Sequence, residues 1–129
     1  MMKRLSDFAK FLRKLRIDND EYLDGMAERL GISAPYLSAV EIGTSPIPAK
    51  WYNLIVEKYN LNENMKAELN RAMILSRTKL NVDISKRLKE DKELIYKFIN
   101  KFDFLSSDDK NIMNDILSKY DNENIRNII

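Results

Sequence analysis

The chain has 129 residues, of which 44% are hydrophobic and 33% charged, a balance typical of a globular domain with an appendage. Cysteine and histidine are both absent, which excludes disulfides, Cys/His zinc sites, thiol nucleophiles and histidine-based acid–base catalysis. The formal net charge is only +2, so a basic surface for a polyanion depends on how the charges are distributed.

The charges divide slightly between the two parts of the chain. Residues 1–80 hold 13 Lys and Arg against 10 Asp and Glu, a net of +3, whereas residues 81–129 hold 9 against 10, a net of −1. No apolar run approaches the roughly 20 residues of a membrane span, and the first residues lack the apolar stretch of a signal peptide. We therefore expect a cytoplasmic protein that is not an enzyme and needs no metal or cofactor.

Helical spacing of apolar residues runs through nearly the whole chain and predicts an all-α fold. The one short strand candidate is the alternating segment 79–84. Helix breakers cluster in the stretch from 31 to 48, where the sequence has Gly31, Pro35, Gly43, Pro46 and Pro48.

The first helix is predicted from an N-cap at Ser6 to Arg16, with an apolar stripe made by Phe8, Phe11, Leu12 and Leu15. Residues 18–20 predict a turn. A second helix then ends at Leu30, with Gly31 as its stop, because a positive φ costs glycine little. A third helix is capped by Ser33, tolerates Pro35 in its first turn and ends at Gly43.

Four further helices complete the predicted order. The fourth carries Trp51, Leu54 and Ile55, and the fifth is capped by Asn62 and carries Met65, Leu69 and Met73. Two more belong to a C-terminal extension, residues 81–129, that follows a first domain of residues 1–80. Ser106 and Asp109 predict a capping box at the last helix. Residues 85–91 suit a hinge or a frayed first turn, and we expect the tail 121–129 to be partly disordered.

The segment from Met26 to Gly43 places two short helices on either side of a tight turn. Ala27 is small enough for the third helix to cross over it, and Gly31 makes the turn. Three apolar side chains hold the two helices together: Ile32, Leu37 and Val40. This is the helix-turn-helix plan, in which the second helix of the pair lies in the major groove of DNA.

The run L-G-I-S-x-x-Y-L-S-x-V-E-x-G, preceded by M-A-E-R, resembles the phage-repressor and Cro-like helix-turn-helix family, known as the XRE family. Arg16 and the apolar pattern from Trp51 to Leu69 extend the resemblance over about residues 6–75. It implies a five-helix repressor-like domain with a C-terminal helical extension. It also implies a transcriptional regulator of a mobile element, prophage or toxin–antitoxin operon, with repression as the default role.

The resemblance implies which residues meet double-stranded DNA. The exposed start of the third helix faces the bases through Ser33, Ala34, Pro35, Ser38 and Ala39. Such small residues cannot make the bidentate pairs of Arg with guanine or Gln with adenine, but they can touch a thymine methyl, so specificity rests partly on DNA shape. Further contacts are implied at Leu23, Tyr36, Thr44, Ser45 and Lys50.

Some of these residues have two readings. The Tyr36 ring either covers the core or contacts the DNA backbone. The cations of the first helix, Lys10, Arg13 and Lys14, either bind phosphates or form a solvated face. The resemblance further implies an ion pair between Arg16 and Glu41, which would tie the third helix to the first.

The apolar residues of the extension exceed what a two-helix hairpin can hide by itself. We therefore predict a homodimer through Phe98, Phe102, Ile112, Ile116 and Leu117; the alternative is a hairpin that folds back to complete a monomeric core. A second hypothesis for function is an adaptor that grips a partner protein, such as a toxin or an antirepressor.

Overall fold

The computed structural model describes residues 4–121, which are helical with no strand among them. The helices are α1 (Asp7–Asp18), α2 (Leu23–Leu30), α3 (Ala34–Ile42), α4 (Trp51–Tyr59), α5 (Glu63–Leu75), α6 (Lys89–Lys101) and α7 (Ser107–Ser118), with a 3₁₀ turn at Phe102–Phe104 between the last two. The all-α prediction is confirmed. The tail predicted to be partly disordered lies, beyond residue 121, outside the described residues.

The short strand candidate at residues 79–84 does not form a strand. These residues form an irregular segment that is almost entirely exposed. An alternating pattern needs a second strand to complete its hydrogen bonds, and a six-residue segment without one has no reason to form a ladder.

The helix ends follow local side-chain chemistry. The Ser6 hydroxyl accepts from the Ala9 N–H at 3.0 Å, and the Asn62 side chain accepts from the Met65 N–H at 2.9 Å. At α7, Ser106 and Asp109 exchange side chain-to-backbone hydrogen bonds at 3.0 and 3.1 Å, the predicted capping box. Helix α1 runs two residues beyond the predicted end at Arg16, and the turn that follows has Asp20 at a φ of +50°.

The described residues divide into two compact units, 4–81 and 82–121. In the first unit, α1 packs against α5 and α3, and α2 packs against α3 and α4. Their shared core is continuous and consists of the side chains that carry the helical periodicity, with Phe8, Leu12, Met26, Leu37, Trp51, Ile55, Leu69 and Met73 completely or almost completely buried. Burial of this apolar face, more than helix propensity, stabilises helices this short.

The second unit contains α6, the 3₁₀ turn and α7, and no described residue in it is buried. Several of its apolar side chains line a groove, and Phe98 in this lining meets Phe102 edge to face with ring centroids 5.5 Å apart. The groove, of about 360 Å³, is lined by Leu94, Ile95, Phe98, Met113, Ile116 and Leu117. Within residues 4–121, no helix has the length and hydropathy needed to cross a membrane.

Candidate nucleic-acid interface

The turn between α2 and α3 is closed by backbone geometry. Gly31 has a φ of +71°, in the left-handed region, and the Ile32 N–H donates to the Ala27 carbonyl at 3.0 Å. Ser33 then caps α3 by accepting from the Tyr36 N–H at 3.2 Å, and its hydroxyl proton stays available for another acceptor. The sequence signals at Gly31, Ser33 and Pro35 therefore correspond to the actual helix ends.

Helix α3 turns Leu37, Val40 and Glu41 into the core. The residues spaced three and four apart on the opposite side are Pro35, Ser38, Ala39 and Ile42. Glu41 is the only charged residue of α3 and it is buried, so the outward face of this helix carries no charge. We call these four residues the α3 outer face.

A bidentate ion pair fixes α3 on α1. The Arg16 guanidinium donates from Nη1 to Glu41 Oε1 at 2.8 Å and from Nη2 to Glu41 Oε2 at 3.1 Å. The side chains are only 12% and 6% exposed, so water screens the pair little. The ion pair expected between these two residues is therefore present, and its planar fork sets the orientation of α3 as well as its distance from α1.

The Tyr36 ring is placed so that it covers the core and is also exposed beside the start of α3. It lies edge to face on the buried Trp51, with ring centroids 5.7 Å apart, and it is still 42% exposed. One part of the ring thus covers the core at the junction of α3 and α4, while the rest borders the exposed start of α3.

The loop after α3 is tied to the helix end. The Ala39 carbonyl oxygen accepts from the N–H groups of Thr44 and Ser45, at 2.9 and 3.1 Å, and from the Thr44 hydroxyl at 3.1 Å. The Thr44 hydroxyl proton is therefore engaged inside the chain, whereas the Ser45 hydroxyl has no such bond among the described contacts. Lys50 is exposed at the start of α4, whose N-terminus has no side-chain cap.

The predicted DNA-binding residues do not all lie at the surface. Ser33, Pro35, Tyr36, Thr44 and Lys50 are exposed, and Ser38, Ala39 and Ser45 are half-buried. Leu23 and Ala34 are half-buried and pack against the core, so they shape the helix ends instead of projecting from them.

One cluster near α2 has no counterpart in the predicted site. Glu21 accepts from Arg29 Nε at 2.9 Å and from the Tyr59 hydroxyl, and the Arg29 guanidinium lies 4.5 Å from the centre of the Tyr59 ring. Burial raises the pKa of the Tyr59 hydroxyl, and the hydrogen bond that this hydroxyl donates to Glu21 raises it further. We call these three residues the Glu21 clamp; it joins α2 to α4.

Two features of this region were not predicted from the sequence. Ile42 is 55% exposed on the α3 outer face, and its spacing from Pro35, Ser38 and Ala39 was enough to place it there. The Glu21 clamp had no signal, because its members are 8 and 38 residues apart in the chain.

The predicted dimerisation residues are all exposed in the second unit, from 40% for Phe102 to 64% for Leu117. Phe98, Ile116 and Leu117 line its groove, whereas Phe102 packs on the edge of Phe98 and Ile112 lies outside the lining. Among residues 4–121 no group of acidic side chains is arranged to hold a metal ion.

Comparison of the chain with protein-family models, curated proteins and solved structures finds no match.

Proposed function

We propose that the chain is a sequence-specific DNA-binding regulator of transcription that places α3 in the major groove and works as a homodimer. The supporting observation is the uncharged α3 outer face, which includes the small residues Ser38 and Ala39 and belongs to a helix held by the buried Arg16–Glu41 ion pair. Small residues let the helix backbone approach the base edges closely, and a rigid helix keeps them in register.

Specificity in this proposal has two sources. Ser38 and Ala39 suit a thymine methyl, and the Ser33 and Ser38 hydroxyls suit a base edge that offers an acceptor. Since α3 has no exposed charge, the shape and deformability of the duplex contribute the rest. Phosphate contacts come from the exposed Lys50 at the start of α4, where the helix dipole also favours an anion.

Dimerisation supplies the affinity that a single uncharged recognition helix lacks. The apolar groove of the second unit is the surface proposed for a second copy, because residues such as Phe98, Ile116 and Leu117 gain most from leaving water. Two linked modules on one duplex bind with a high effective concentration. The gene setting proposed for such a regulator is a prophage, mobile element or toxin–antitoxin operon, with repression of its own or a neighbouring promoter.

A second candidate function is an adaptor that binds a partner protein. It is favoured by the apolar character of the α3 outer face, which carries no charge and includes Ile42 at 55% exposure. Such a face also suits an apolar groove on a protein such as a toxin.

Fluorescence anisotropy with the DNA that flanks the chain's own gene tests the first candidate. We expect Ser38→Glu to abolish binding, because the added carboxylate would face phosphates and base edges, while the helical circular-dichroism signal stays unchanged. Asn64→Glu is the matched control, since it adds the same charge at an exposed position of α5.

The salt dependence distinguishes the two candidates. A regulator loses affinity along a log–log slope of about −0.9 per phosphate contact. Binding to DNA that is equally strong for Ser38→Glu and wild type would contradict docking through α3. A slope near zero, with tight binding to a protein partner, would favour the adaptor.

A further inference from the structure

A cavity of about 270 Å³ lies inside the first unit, where three segments distant in sequence meet. Its lining includes Ser6 before α1, Ser45 in the loop after α3, and Ser76, Arg77, Thr78 and Lys79 at the end of α5. Its volume is about nine times the roughly 30 Å³ that one water molecule occupies in the liquid, so it accommodates a polyatomic group.

The charged side chains that line this cavity are all cations. Arg77 and Lys79 contribute two cations to the lining, and no carboxylate lines it. Arg77 donates from Nη2 to the Ile47 carbonyl, but its Nε is buried without a partner. Neither cation belongs to an ion pair among residues 4–121. A partly buried guanidinium without a counter-charge is costly, and burial lowers the pKa of Arg77 accordingly.

Two hydroxyl groups of the lining are able to donate. Ser6 Oγ already accepts from the Ala9 N–H, and Ser76 Oγ accepts from the Phe8 N–H, both at 3.0 Å. Each hydroxyl therefore has a proton left to give, since a hydroxyl carries one donor and two acceptor positions. The carbonyl of Ile47, beside the cavity, is occupied by Arg77. A ligand that offers several acceptors and negative charge matches such a lining.

We propose that this cavity binds a phosphate oxyanion, supplied either by the backbone of DNA or by a phosphorylated small molecule. The first source rests on the proposed function, whereas the site itself does not. Binding would join the loop that follows α3 to the start of α1 and to the residues that follow α5. Occupation of the cavity would thus stabilise the segment that leads out of the helix proposed to enter the groove.

The test uses the full chain and inorganic phosphate, without DNA. Thermal denaturation and amide chemical shifts are followed during titration with phosphate and, separately, with chloride at equal ionic strength. We expect saturable shifts at Ser45, Ser76 and Lys79 and a higher melting temperature with phosphate alone. Lys79→Gln, at an exposed position, should weaken binding about tenfold, as expected for the loss of one charge-assisted hydrogen bond.

Two further variants complete the test. Lys58→Gln removes an exposed cation elsewhere in the first unit and should bind phosphate like wild type. Arg77→Gln should bind more weakly than Lys79→Gln, and if it fails to fold, Lys79→Gln alone decides. Equal responses to phosphate and chloride, or wild-type phosphate affinity in Lys79→Gln, would overturn the proposal.

The two sources of phosphate differ in their effect on DNA binding. If DNA supplies the group, Lys79→Gln lowers the log–log salt slope by about one, and phosphate competes with DNA more than chloride does. If a free phosphorylated molecule is the ligand, phosphate still binds but the slope is unchanged. Because phosphate is titrated without DNA, a chain that binds phosphate but no DNA would contradict the proposed function and leave the cavity site intact.

Discussion

The two compact units differ most in where their apolar side chains lie. The first unit surrounds a continuous core in which Phe8, Leu37 and Trp51 are fully buried. The second unit has comparable side chains, among them Phe98, Ile116 and Leu117, but every described residue in it keeps contact with water.

The same helical pattern therefore has two outcomes. Five helices that pack on several sides shield each other's apolar stripes, whereas a hairpin of two helices has only one shared face. The first unit thus has what it needs for independent stability. The second offers an apolar surface whose burial requires something more, and a second copy is the occupant that we propose.

The largest expected loss of stability follows removal of the Arg16–Glu41 ion pair, which holds α3 on α1. Glu41→Ala leaves the Arg16 guanidinium, only 12% exposed, without its counter-charge, and should cost about 3–5 kcal/mol of the free energy of unfolding. Urea denaturation followed by circular dichroism measures it. The double variant Arg16→Met with Glu41→Leu should recover much of the loss; a single variant as stable as wild type would show that the pair does not hold α3.

Matched leucine substitutions compare the two units directly. Leu37→Ala removes a side chain that is fully buried in the first unit and should cost about 2–5 kcal/mol at any protein concentration. Leu117→Ala, 64% exposed in the second unit, should change the stability of the dilute chain by no more than about 0.5 kcal/mol. Its cost should grow with protein concentration if the groove pairs with a second copy. Similar costs for both at low concentration would remove the distinction between the units.

Sedimentation equilibrium tests the proposed dimer. Wild type should sediment near twice its 15.2 kDa, whereas Ile116→Glu, with a carboxylate in the groove, should lose about 1.5–3 kcal/mol of association free energy, more than tenfold in the dimer dissociation constant. Tyr96→Glu, on α6 but outside the groove lining, is the control. A chain cut after Leu80 should be monomeric. A dimeric truncated chain would place the interface outside the second unit, and a full chain that is monomeric where it binds DNA would contradict the dimer.

The smallest expected effect concerns the Glu21 clamp at alkaline pH. Burial and the bond to Glu21 raise the pKa of Tyr59 above that of an unfolded tyrosine, about 10. The contribution of the clamp is therefore fully present below pH 10 and is lost as the pH rises through the raised pKa. Absorbance at 295 nm should show one late-ionising tyrosine that is missing in Tyr59→Phe. At neutral pH the free energy of unfolding of that variant should be about 1 kcal/mol lower than that of wild type. A titration curve that the substitution leaves unchanged would show that the clamp does not form.

The helix order followed from the sequence because each signal acts over a few residues. The caps at Ser6, Ser33 and Asn62, and the glycine stops at 31 and 43, lie where the pattern placed them. The segment 79–84 does not form a strand, because a strand depends on a partner that the pattern alone does not supply. Long-range features were beyond reach for the same reason, since no local rule joins Glu21 to Tyr59 or Ser6 to Arg77.

By itself, then, the sequence determined the helical class, most helix ends and the inward-facing residues of the first unit, since these depend on spacings within one or two helical turns. The tertiary structure decided which surfaces these helices present. Packing turned Glu41 into a buried partner of Arg16, left the α3 outer face without charge and brought two cations to a cavity between three chain segments. Such features arise only when distant residues meet, because charge and burial depend on neighbours in space.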